Sequence, residues 1–313
     1  MKPRWRVWGL VGLLLGAGVA CVSQASAPSG TAPVTRADRE PVGEERETGS
    51  ETQAASGPHL RVGPGVTAEE AATVRVALEE AVELIEEATG YGPPPFEVHL
   101  QSDIDGMAAA WCDAYDTQPC PDGVVDMFGS TVGNSWPGLI FTRTDGWPIV
   151  AGGGRSVMLH EYVHILQYDL ADVSPADVSA LPEQVRPSGP MWLAEGQAEY
   201  FRYVVEQGEA FEHWLVLMRH LAGMDDVDGP RLKALETARD YSEGLADDRT
   251  ITLTIVAVDV LTQDFGATLH DHLAFSERVG QGATWEESFT ETFGVTIEDF
   301  YEHIDALDGS GTR

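Results

Sequence analysis

The sequence predicts an α+β chain: a small N-terminal α/β layer followed by a predominantly helical C-terminal part. Helix and strand patterns mix between residues 67 and 142, whereas from residue 156 onward almost every periodic segment is helical. A composition that is 43% hydrophobic and 8% aromatic is apolar enough to build a core. The length of 313 residues allows one large domain or two small ones.

The N-terminus reads as an address. Lys2, Arg4 and Arg6 form a basic head before the apolar and glycine run Val7–Ala20. That run is short for a membrane span, which needs about 20 residues, and it fits the core of a secretory signal. Gly-Val-Ala-Cys21 then places Cys21 where a bacterial lipoprotein signal is lipidated, although Gly18 stands where Leu is usual. Plain secretion with cleavage after Ala25-Ser26-Ala27, or a retained anchor, are the alternatives. Residues 1–21 are therefore expected to be a signal peptide. Each reading exports the chain, and lipidation of Cys21 would hold it on the outer face of a bacterial membrane. Residues 22–58 offer only Val22, Val34 and Val42 as larger aliphatic surface, too little to offset chain entropy. They are expected to form a disordered acidic tether, leaving 59–313 as the folded domain.

Thr67-Ala-Glu-Glu70 is a capping box that opens a helix to about Thr89, with Ala71, Val74, Leu78, Val82 and Ile85 at helical spacing. Phe96–Leu100 and Gly138–Thr142 read as strands, with a short helix near Met107–Trp111 between them. Outside the cytoplasm Cys112 and Cys120 are expected to form a disulfide that pins a short loop. Helices are then expected over 156–169, 191–207 and 209–222. Ile251–Phe265 is apolar enough for a buried helix, although its β-branched residues also allow a strand. Thr284-x-x-Glu287 and Thr296-x-x-Asp299 cap the last two helices. Gly152–Gly154 suits a flexible rim, not a phosphate loop, because no G-K-S/T follows.

The chemistry lies in His160-Glu161-Tyr162-Val163-His164, an H-E-x-x-H pattern. Residues i and i+4 share a helix face, so both imidazoles converge on one ion. Glu161 lies about 60° short of His164 around the helix, within reach of a water at that ion without being a ligand. A catalytic zinc site needs three protein ligands and an open position. Glu195, in Met191-Trp-Leu-Ala-Glu-Gly-Gln-Ala-Glu199-Tyr-Phe201, supplies the third. Glu199, one turn on, is placed to accept a ligand imidazole N–H. Both acids sit in an apolar helix and so require partners. Of the other histidines, His270 and His272 are two apart on a helix and point away from each other.

HEYVHILQ followed by WLAEGQAEYF resembles the zincin metallopeptidases of the gluzincin type, in particular the peptidase-MA-like proteins of bacteria, strongly over about 155–205. The resemblance implies a zincin-like fold, Zn2+ held by His160, His164 and Glu195, and Glu161 as general base in peptide hydrolysis. It also implies a group that hydrogen-bonds the oxyanion, for which Tyr241 is the candidate, with His220 behind it. Zincins bind an extended peptide along an edge strand, here expected at Leu139–Thr142. The alternatives are a catalytically silent zincin-fold surface binding module and a zinc hydrolase of a non-peptide amide.

The net charge of −32 narrows the partners. Such a surface repels nucleic acid and anionic membrane faces, so membrane contact is expected only through a lipid anchor. A peptide or protein substrate is expected, with basic or neutral peptides before acidic ones.

Overall fold

The computed structural model describes residues 58–309, apart from 118, 121–122, 130–131, 146–152, 176–184, 187, 209–210, 212–213, 216–230 and 248. The expected signal, Cys21, nearly all of the expected tether, His220 and most of the 209–222 segment lie outside the described residues.

The element order is β1 (His59–Val62), α1 (Ala68–Thr89), β2 (Glu97–Gln101), α2 (Ile104–Ala114), α3 (Val124–Phe128), β3 (Gly133–Trp136), β4 (Leu139–Arg143), α4 (Gly153–Leu170) and α5 (Met191–Gln207). A 3-10 turn (Leu232–Leu235), α6 (Ala238–Gly244), α7 (Arg249–Gln263), α8 (Leu269–Gly280), α9 (Trp285–Phe293) and α10 (Ile297–Gly309) follow. The chain is thus mostly helical with one small sheet, as α+β requires. No helix among the described residues is long and apolar enough to cross a membrane.

Local chemistry accounts for most boundaries. Thr67 and Glu70 cap α1 reciprocally, and Gly90, at φ 81, ends it in the left-handed conformation that glycine adopts without strain. Thr268 with Asp271 and Thr284 with Glu287 repeat the capping box at α8 and α9. All but the last two residues of Ile251–Phe265 resolve as helix: α7 buries every residue from Thr254 to Leu261. Packing on α5 overrides the strand preference of its β-branched side chains. Cys112, near the end of α2, is bonded to Cys120 as expected, with their Cα atoms 5.5 Å apart. Gly153 and Gly154 belong to the first turn of α4, so that part of the glycine run is helix and not a loose rim.

The sheet order is β1-β2-β4-β3, with β1, β2 and β4 parallel and β3 antiparallel to β4. This corrects the expected substrate edge. β4 is paired on both sides; the edge strands are β1 and, beside β4, β3, whose sequence Gly133-Asn-Ser-Trp136 carries no alternating apolar signal. Alternation across the sheet separates two cores. Val98, Leu100 and Ile140 face the large core with α1 and α4, while Phe141 and Trp136 face a smaller one with Met107, Trp111 and Phe128. By register, Gly133 and Ser135 therefore lie on the α4 side of β3.

In the helical half α5 packs between α4 and α7. Gly196 makes that approach possible: a Cβ there would sit 2.7 Å from the backbone oxygen of Thr254 on α7. Backbone cannot yield as a side chain can, so overpacking outweighs the ~1 kcal/mol helix gain of alanine. Gly196→Ala is expected to lower unfolding free energy by about 1–3 kcal/mol in urea titration.

Candidate metal centre

Between Val157 and Leu166 the helix α4 is buried on every side, because its apolar residues surround the whole circumference. It therefore carries the polar groups of H-E-x-x-H into the interior, where His160 is 2% exposed and His164 5%. Helix α5 starts at Pro190, whose extended backbone precedes the first turn, and the Met191 N–H donates to Glu236 O at 2.7 Å. That anchor sets Glu195, in the second turn, against α4.

The three sequence-predicted ligands converge. One ligand atom from each of His160, His164 and Glu195 lies within 4.8 Å of the others. The two Nε2 atoms are 3.1 Å apart, and Glu195 Oε2 stands 3.5 Å from that of His160 and 3.6 Å from that of His164. The opposite face of each ring settles what these atoms carry. His160 Nδ1 faces Glu199 Oε1 at 3.3 Å, and His164 Nδ1 faces Gln167 Oε1 at 2.8 Å. An amide oxygen only accepts, so His164 Nδ1 donates to Gln167, and the nearby Glu199 carboxylate favours the proton of His160 on Nδ1. In the neutral rings each Nε2 then presents a bare lone pair, and a carboxylate oxygen joins them. Buried Glu195 Oε2 has no hydrogen-bond partner among the described residues. Three lone pairs aimed at one dry point repel each other unless a cation lies between them. Two imidazole nitrogens and one carboxylate oxygen also suit zinc, so the residues fit the ion that the sequence predicts.

The charges around the cluster agree. Burial pushes the Glu195 carboxyl up, but positive charge at its meeting point with His164 and His160, as protons on the imidazoles or as a cation in their place, outweighs burial and holds it well below the usual carboxylate range. For Glu199 burial is likewise outweighed, by Arg202 and His160. Burial raises Glu161, with both histidines and Ser135 pulling it back only in part.

Glu161 is 1% exposed and points to β3. Ser135 Oγ lies 2.5 Å from its Oε2, and a Cβ on Gly133 would meet its Oε1 at 2.7 Å. The absent side chain at Gly133 makes room for the carboxylate, and the hydroxyl at Ser135 orients it. Glu199, expected only as a partner of a ligand imidazole, also binds Arg202, whose Nη1 donates to Ser156 Oγ at 3.0 Å. Ser156 in turn donates to Glu206 Oε2 at 3.0 Å. Tyr241 is on α6, buried in the large core. The tyrosine that stacks on His164 is Tyr168, ring centroids 6.3 Å apart, and its hydroxyl accepts from Arg186 Nη1 at 3.4 Å.

Ser135, Gln167, Gln197 and Arg202 went unremarked in the sequence. A signal existed for three of them, since a buried amide or guanidinium in so apolar a helix requires a partner, as the two glutamates did. Ser135 had none, because nothing local marks its strand. No family model matches the chain, and no curated protein or solved structure matches it.

Arg202 and Glu199 are 3% exposed each, so removing one partner strands a buried charge. Arg202→Met is expected to cost about 3–5 kcal/mol in chemical denaturation, and adding Glu199→Gln should recover much of that loss. A second expectation concerns pH. Burial lowers His272 to about 3, against about 6.5 for an unfolded histidine. Below pH 6.5 the unfolded chain takes up a proton that folded His272 refuses, so stability falls as pH drops from about 6.5 toward 3. The limiting slope is roughly 1.4 kcal/mol per unit. Buried His99, also lowered by burial, acts in the same direction. The His272 share is the difference between wild type and His272→Asn in metal-free denaturation series across that range.

Proposed function

We propose that this chain is a zinc-dependent peptidase with a zincin-like fold of the gluzincin type. The convergence of two bare imidazole nitrogens and a buried carboxylate oxygen carries the reading. His160, His164 and Glu195 would hold Zn2+. When bound, zinc supplies Lewis-acid polarisation of a carbonyl and acidification of a water.

The remaining chemistry belongs to the chain. Glu161 takes a proton from the attacking water and delivers it to the leaving amine. Burial raises its carboxyl in the ion-free chain, which favours the proton-carrying form between the two steps. Ser135 and Gly133 keep its carboxylate aimed while it works. Tyr241 and Tyr168 are the candidate phenols for hydrogen-bonding the oxyanion. Among the described strands β3 pairs only with β4, and its other side is where an extended substrate would add as a further strand, one element from the general base. The basic head, the apolar run and Cys21 support export with a lipid anchor on a bacterial surface. The acidic surface favours cationic or neutral peptides over acidic ones.

The test is metal content together with peptide-library cleavage for wild type and Glu161→Gln. About one zinc per chain is expected in both, with cleavage lost only in the variant. Equal cleavage by both would remove Glu161 from the mechanism. Zinc without cleavage by wild type would favour a silent binding module.

A further inference from the structure

The two ligand histidines are held by different means. His160 Nδ1 faces a charged pair, Glu199 with Arg202, whereas His164 Nδ1 faces a neutral amide. An amide can present either end, and only its oxygen suits a donating Nδ1. What fixes its direction can be followed atom by atom.

Gln167 Nε2 donates to Ala194 O at 3.1 Å and to Gln197 Oε1 at 2.8 Å. Both amide hydrogens are thereby used, and Oε1 is left for His164. Gln197 Nε2 lies 3.3 Å from His272 Nδ1 and 3.3 Å from His272 O. A backbone oxygen only accepts, so this end of Gln197 is the donor, and His272 Nδ1 is an acceptor. The His272 proton then sits on Nε2, 3.0 Å from Thr262 Oγ1, whose hydroxyl donates to Val258 O at 3.1 Å. From His164 outward through α5 and α8 to α7, every donor points away from the ligand cluster. Gln167, Gln197 and His272 are all buried, with His272 fully so, and water has little room to repair a reversed link. Reversing one amide would set donor against donor on one side and acceptor against acceptor on the other.

We propose that Gln167, Gln197 and His272 form a one-way hydrogen-bond chain that presets His164 as its Nδ1–H tautomer, holding the Nε2 lone pair toward the ligand cluster before any ion arrives. Gln167 touches the ligand; Gln197 and His272 are positioning residues that act through it. The consequence for metal affinity rests on the zinc reading above, whereas the tautomer itself does not.

The test uses the full chain, metal-free, with isotope-labelled histidine. Long-range proton–nitrogen correlation spectra report each imidazole tautomer, and chelator competition gives zinc affinity. Wild type is expected to show His164 as Nδ1–H alone. Gln197→Leu and His272→Phe should mix the tautomers and weaken zinc binding by about tenfold. His272→Asn keeps an acceptor in place of Nδ1 and should restore both readouts to within about threefold. A packing role alone would leave Asn no better than Phe. The proposal is overturned if wild-type His164 is mixed or Nε2–H. It is also overturned if Gln197→Leu and His272→Phe, folded by near-UV circular dichroism, leave tautomer and affinity unchanged. Wild type that binds no zinc yet holds His164 as Nδ1–H would overturn the zinc assignment and support the chain.

Discussion

Two imidazole nitrogens and a carboxylate oxygen lie within 4.8 Å of one another inside an apolar interior. Left to themselves they would separate or protonate, since buried like dipoles and an uncompensated charge are costly. Much of the surrounding structure serves to prevent both. Glu199 and the oxygen end of Gln167 face the far side of each ring, which favours the ring protons there and leaves the inner nitrogens to accept. Arg202 balances Glu199, and the packing of α5 on α4 buries His160, His164 and Glu195.

That packing has its own requirement. Ligands from two helices meet only if the helices touch closely, and α5 achieves this by presenting Gly196 to the backbone of α7 while its neighbour Glu195 faces α4. On the other side of α4 the same device recurs, where Gly133 lets β3 lie over Glu161. Two glycines thus set the depth of the site from opposite sides. The ligand helix α4 needs no such relief because its own side chains are the core.

The sequence made legible whatever is encoded within one or two helical turns. His160, Glu161 and His164 follow from i, i+4 spacing, and Glu195 and Glu199 from acids stranded in an apolar helix. The capping boxes at Thr67 and Thr284 located helix starts for the same reason. Long-range pairing was not legible. β3 contains Gly, Asn and Ser, so nothing local marks it as a strand, and it becomes the sheet edge only through its partner β4. His272 looked unremarkable because its partners Gln197 and Thr262 lie 75 and 10 residues away. Its neighbour His270 does point elsewhere, as the helix period requires, bonding Thr89 O at 2.8 Å.

A metal centre at His160, His164 and Glu195 stands or falls on the identity of the atoms around the ion. Zinc-edge X-ray absorption of the metal-loaded chain reads them directly. The expected result is two imidazole nitrogens at about 2.0–2.1 Å with oxygen completing the shell at about 2.0–2.2 Å, and one imidazole lost in His164→Ala. A shell of oxygens alone, or one unchanged in His164→Ala, would contradict a metal centre built from His160, His164 and Glu195.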